Sequence, residues 1–155
     1  MELEAVVPKL KYPAVCRTHR APTCQDVENL SKVRDAGGHA VSFYFKPGEE
    51  KLAERDAMIV NLRARDIISN SYGQEKPNLS LLRDLDAVMK IAEDADGPES
   101  PLKIVFACRE RGIWEEFEIP TSNRIVRLEA ANSFDLSLLR RLAQLNEPGR
   151  NSRPA

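Results

Sequence analysis

KIVFACRERGIWEEFEI, residues 103–119, decides the fold. Lys103 to Cys108 is a continuous apolar run, as a strand buried on both faces requires. Arg109-Glu110-Arg111-Gly112 is polar and closes on glycine, so it reads as a turn. Ile113 to Ile119 then alternates, placing Ile113, Phe117 and Ile119 on one face and Trp114, Glu116 and Glu118 on the other. Two strands joined by so short a turn must pair antiparallel, because a parallel pair needs a crossover of about a dozen residues.

Upstream of this hairpin the period changes from two to helical. Residues 49–70 place Ala53, Ala57, Val60, Ala64 and Ile67 along one stripe, with Arg55, Arg63 and Asp66 elsewhere on the surface. The segment 71–77, SYGQEKP, breaks that helix, and Asn78 is a suitable N-cap for another carrying Leu81, Leu85, Val88 and Ala92. Two amphipathic helices joined by a short loop predict an antiparallel αα-hairpin. Before it, Ala40 to Phe45 is β-branched and aromatic, with Val41, Phe43 and Phe45 on one face, closed by Lys46-Pro47-Gly48. A first helix, capped by Thr23 or Asp26 and bearing Val27, Leu30 and Val33, is predicted to end at Gly37-Gly38.

Downstream, residues 124–128 read as a further strand. Ser137 is predicted to cap a last helix bearing Leu138, Leu139, Leu142 and Leu145. The expectation is an α+β domain over residues 23–145, with an antiparallel sheet of about four strands packed against the long αα-hairpin and flanking helices. Residues 1–22 hold three prolines and no sustained period, an irregular arm, and residues 146–155 form a polar, disordered tail.

At 155 residues the chain has the size of one domain, and 42% apolar with 30% charged residues is globular composition. A net charge of −1 means that any nucleic-acid contact must come from a local patch. No apolar run reaches the roughly 20 residues of a membrane span, and the N-terminus lacks the order of a signal peptide. Three cysteines, Cys16, Cys24 and Cys108, fit a reducing compartment better than a disulfide framework, so the cytoplasm is expected.

Chemical signatures are sparse. Phosphate-cradling glycine loops and the nucleophile elbow are missing, and the two histidines, His19 and His39, stand in the arm and a turn. Cys16, His19, Cys24 and His39 lack the two tight pairs of a structural zinc site, and stray residues in the arm explain them more simply. Asp94-Ala95-Asp96-Gly97 lacks the third acid and closing glutamate of a calcium loop. Glu116 and Glu118 read as the solvated side of a strand, and the Arg63/Arg65 and Arg140/Arg141 pairs as wet helix faces. No enzyme activity, cofactor or metal is expected. Trp114 reads either as a contact surface or as a side chain covered by the first or last helix.

Five motifs in order carry a resemblance. They are Ala36-Gly37-Gly38 followed by Val41-Ser42-Phe43-Tyr44-Phe45-Lys46-Pro47, and Asn61-Leu62-Arg63 in the helical hairpin. Ile104-Val105-Phe106-Ala107-Cys108, Gly112-Ile113-Trp114-Glu115-Glu116-Phe117 and the stretch from Asn132 to Leu139 complete them. Together, residues 25–145 resemble the first domain of the archaeo-eukaryotic class I peptide chain release factor family, and its bacterial members most closely. The resemblance implies an antiparallel sheet flanked by helices. In eukaryotic members this domain reads stop codons with contacts from the hairpin tip, and a middle domain bearing a Gly-Gly-Gln loop triggers peptide release.

The chain departs from the family at each codon-reading element. The tip, where the family has Asn-Ile-Lys-Ser, reads Ser69-Asn70-Ser71-Tyr72-Gly73-Gln74. The Tyr-x-Cys-x-x-x-Phe position, residues 128–134, keeps only Phe134, and the Gly-Thr-Ser turn reads Gly37-Gly38-His39. Gly-Gly-Gln does not occur. The expectation is therefore a non-catalytic domain associated with the ribosome, tRNA or other RNA through the tip residues Asn70, Tyr72, Gln74 and Lys76. Tyr72 would either stack on a base or fold back on the hairpin. The rival expectation is a protein-interaction module, or a gene remnant, docking through Trp114, Leu142 and Leu145 on a partner that supplies the missing middle and C-terminal domains.

Overall fold

Ala40–Lys46 forms strand β1, and all seven of its residues are buried. The structure is a computed structural model and describes residues 21–48, 50–71, 79–95 and 100–146. Helix α1 (Cys24–Ser31) precedes β1; α2 (Glu50–Ser71) and α3 (Leu79–Asp94) follow it. Then come β2 (Leu102–Cys108), a 3-10 turn (Arg109–Arg111), β3 (Ile113–Ile119), β4 (Ile125–Ala131) and α4 (Ser137–Asn146). The strands form one sheet in the order β3-β2-β1-β4, every neighbouring pair antiparallel. The α+β expectation holds, and the two inner strands are the two most apolar runs of the sequence.

Burial of β1 on both faces follows from the layers. Tyr44, Ile104, Phe106 and Phe117 face one way and pack with Val27 and Leu30 of α1 and with Leu139 and Ala143 of α4. Val41, Phe43, Phe45, Val105 and Leu128 face the other way, against Val60, Ala64 and Ile67 of α2 and Leu81, Leu85 and Val88 of α3. The stripes read on α2 and α3 thus meet the sheet through Val60, Ala64, Ile67, Leu81, Leu85 and Val88; Leu139 of α4 does the same on the other side, whereas Leu145 is exposed and Val33 lies beyond the end of α1.

Polar bonds fasten the hairpin to the sheet. Asp56 of α2 is fully buried and takes a bidentate contact from Arg124, Nη2 to Oδ1 at 2.6 Å and Nε to both oxygens at 3.1 Å. It also accepts Gly48 N–H at 2.8 Å. Arg63 Nε donates to the Leu128 carbonyl at 3.0 Å, and Asp84 of α3 accepts Arg109 N–H at 2.8 Å.

Three boundaries differ from expectation. Helix α1 ends at Ser31, because Lys32 N–H closes on the carbonyls of Asn29 and Leu30; Gly37-Gly38 does not end it. Gly38 does adopt φ +79°, but its freedom serves the turn into β1, where its N–H meets the Asp35 carbonyl. Strand β4 runs on to Ala131, since its register with β1 continues as far as Ala40↔Ala131. Ser137 is the first residue of α4 rather than its cap: Asp135 Oδ1 accepts from Ser137 N–H at 3.3 Å and from its hydroxyl at 2.9 Å. At the other end of the chain Thr23 does cap α1, in a reciprocal capping box with Asp26.

Candidate functional site

Antiparallel pairing gathers at one end of the sheet the start of β1, the end of β2, the start of β3 and the end of β4. The link 32–39, the turn 109–112 and Asn132 therefore stand together there, and Asp35 N–H donates to the Asn132 carbonyl at 2.8 Å. The helical hairpin points the same way: Gly48 and Asp56 lie near its base, Arg63 reaches Leu128 midway, and Asp84 touches Arg109 close to its far end. A helix of 22 residues is about 33 Å long and a strand of seven about 24 Å, so α2 is longer than the strands it covers, and its last turn lies toward this end.

Asn70 lies in the last turn of α2 and is exposed. Tyr72, Gln74 and Lys76 lie outside the described residues, as do Cys16 and His19 of the arm. Gly37 to His39 and the end of β4 reach this same end.

The structure does not bring the other three candidates together. Trp114 is half-buried on the hairpin side of the sheet, and its Nε1 donates to Glu116 Oε1 at 3.2 Å. Helices α1 and α4 are on the opposite side, so neither expected cover is the actual one. Leu142 is partly buried against the α1 and α4 core, whereas Leu145 is 68% exposed. Trp114, Leu142 and Leu145 are not one surface. Of the charged features, Glu118 accepts Lys103 Nζ at 3.1 Å, and Arg63 is engaged by Leu128, Asp66 and Glu129. Arg65, Arg140 and Arg141 are exposed, as the wet-face reading expects.

One cluster escaped the sequence. Asp35, His39 and Glu110 offer one ligand atom each within 4.8 Å of one another. Their only local sign is the four-residue spacing of Asp35 and His39; Glu110 arrives through the β2–β3 turn. Cys108 is buried close by, and burial, followed by the charge of Asp35, pushes its thiol up to about 11, so it is protonated and unreactive near neutrality. At the opposite end a depression of about 400 Å³ opens between α2 and α3, lined by Pro47, Ala57, Met58, Asn61, Ala92, Glu93 and Ala95. Among the described residues Glu93 is its one ionisable lining residue. Among the described residues no helix is long and apolar enough to cross a membrane.

The arrangement defines a class: a three-layer α+β domain whose candidate contact surface is the sheet end toward which α2 runs. No family model matches the chain, and no curated protein matches it. Two solved structures share the fold. The crystal structure of an archaeal translation termination factor, aRF1, superposes with a TM-score of 0.57 at 16% identity, over 80% of this chain and 36% of that one. An archaeal protein superposes with a TM-score of 0.58 at 14% identity, over 81% of this chain and 37% of that one. The chain spans little more than a third of the length of either. At these identities the likeness shows the fold, and the release-factor-like architecture read from the five motifs is present.

Proposed function

We propose that the chain is a release-factor-like binding domain of translation, without catalysis, that contacts RNA or a ribosomal surface through the hairpin end of the sheet. The observation that carries the reading is the shared architecture with aRF1 over four-fifths of this chain. Asn70, Tyr72, Gln74 and Lys76 are assigned as the contact residues, with Tyr72 stacking on a base. The departures at all three codon-reading positions and the lack of Gly-Gly-Gln remove stop-codon reading and peptide release.

Two measurements test this. Tyr72→Ala is expected to weaken co-sedimentation with ribosomes, or RNA binding, by about 1–3 kcal/mol, the worth of one stacked base. Salt should weaken binding with a shallow slope, because Lys76 is the one cation in the segment 71–77. A folded Tyr72→Ala protein that sediments with ribosomes as well as the parent removes the tip from the reading. In a release assay on programmed ribosomes, no stop codon should elicit peptidyl-tRNA hydrolysis by the isolated chain.

Exposure of Leu145 favours a second reading, in which α4 docks on a protein that supplies middle-domain function. Under that reading Leu145→Glu abolishes capture of the partner while Tyr72→Ala leaves it unchanged. Leu142→Glu does not serve as the test, because it would strike the domain's own core.

A further inference from the structure

We propose that Asp35, His39 and Glu110 form a binding site for a divalent cation of the zinc class, clamping the link into β1 to the β2–β3 turn. The first support is an orphaned atom. His39 Nδ1 is shielded from solvent and makes no hydrogen bond among the described residues. Buried polar atoms are nearly always satisfied, so an imidazole nitrogen left this way asks for a partner.

The atoms facing it are two carboxylate oxygens, Asp35 Oδ2 at 3.4 Å and Glu110 Oε1 at 4.0 Å. A tetrahedral zinc ion with bonds of about 2.1 Å holds its ligand atoms about 3.4 Å apart. The Asp35–His39 separation already has that value. Glu110 must close by about 0.6 Å on His39 Nδ1, and the three ligand atoms, all within 4.8 Å of one another, draw together by a shift of its 39% exposed side chain.

The set is also held in place. Asp35 Oδ2 accepts His39 N–H at 2.9 Å, which fixes the carboxylate over the following turn. A Cβ on Gly37 would stand 2.9 Å from His39 Cε1 and 3.1 Å from Nδ1, so the ring is seated where only glycine permits it. Arg111 Nε lies 3.9 Å from the other oxygen of Asp35, an outer partner that orients the carboxylate as such partners do around metal ligands. Two carboxylates against one guanidinium leave the cluster net negative. The imidazole nitrogen selects zinc and related first-row ions over magnesium or calcium, which prefer oxygen-only shells.

This site does not depend on the release-factor-like reading. Its consequence is mechanical: metal binding ties the link into β1 to the β2–β3 turn, and anything that binds the folded state alone raises its stability.

The test uses the full chain in a Cys16→Ser, His19→Ala, Cys24→Ser background, stripped with chelator, so that these three side chains contribute nothing. Titration calorimetry with ZnCl2 should show one saturable site per chain with a micromolar or tighter Kd, and ZnCl2 should raise the melting temperature by several degrees. His39→Ala and Glu110→Gln should each weaken binding by about tenfold or more and abolish the thermal shift. Glu110→Gln is nearly isosteric at a partly exposed position, so it remains informative even where circular dichroism finds His39→Ala unfolded. No saturable binding below millimolar zinc, or unchanged affinity in either folded variant, overturns the site. Equal competition by MgCl2 overturns the zinc-class assignment.

Discussion

Phe106→Ala is expected to lower the free energy of unfolding by about 3–5 kcal/mol. Phe106 is fully buried on an inner strand, paired with Ser42 on one side and Glu115 on the other. Its ring stands edge-on to Tyr44, Phe117 and Phe134, with centroids 5.8, 6.4 and 5.3 Å away. Phe134 belongs to the segment that leads into α4, and Tyr44 donates its hydroxyl hydrogen to the Asp135 carbonyl at 2.7 Å. Removing the ring therefore leaves a cavity at the point where the sheet meets the returning chain. The backbone on either side is fixed by strand pairing, so the cavity cannot collapse, and the cost should lie toward the upper part of the range. Urea titration should move the midpoint with little change in slope. A loss below about 1 kcal/mol would mean that the ring is not in the core.

Why the fold was legible follows from the same residues. The run Lys103 to Cys108 has apolar side chains on both faces, which in an antiparallel sheet requires cover on both sides, and the sequence supplies two kinds of cover in its helical stripes. Ala64, Leu81, Leu85 and Val88 could be assigned to the core from spacing alone, because helix periodicity leaves them no other face to use. Boundaries were less legible. A pair of glycines is a strong stop signal, yet α1 closed six residues earlier, at Ser31, because the chain had to swing back and hand Asp35 N–H to Asn132. That demand is tertiary and has no local sign.

The candidate site divides in the same way. The end of α2 near Ser71 was visible as a break in periodicity. Trp114 was visible as an unusual residue, but which layer covers it depends on strand handedness and order, which no local pattern encodes. The Asp35, His39 and Glu110 cluster joins positions 35 and 110 across the sheet end. Such a cluster is a product of strand register, so it emerges only once Val41 is paired with Ala107 and Cys108 with Ile113.

Asp56→Ala is expected to cost about 2–4 kcal/mol at pH 7, and the loss should shrink as the pH is lowered. Asp56 has no exposed surface, yet its partner Arg124 is 47% exposed, so the guanidinium acts as the cover over a carboxylate that water would otherwise reach. Deleting the carboxylate removes two charge-assisted contacts and leaves Gly48 N–H without its acceptor, each worth about 1.5–3 kcal/mol before Arg124 recovers its hydration. Deleting the cover instead, with Arg124→Ala, should cost only about 1 kcal/mol, because it readmits water to Asp56. Burial by itself would raise the Asp56 pKa, but the hydrogen bonds from Arg124 and Gly48 outweigh it and hold the carboxyl below its ordinary value. A depressed folded-state pKa gives stability that is complete above the unfolded value of about 4 and is lost as pH falls through the lower folded value. Parent and Asp56→Ala stabilities should therefore differ by a constant amount from pH 7 down to about 5 and converge below about pH 4. Urea midpoints measured across that range decide it. A difference that stays constant down to pH 3 would show that the carboxylate charge does not hold α2 to the start of β4.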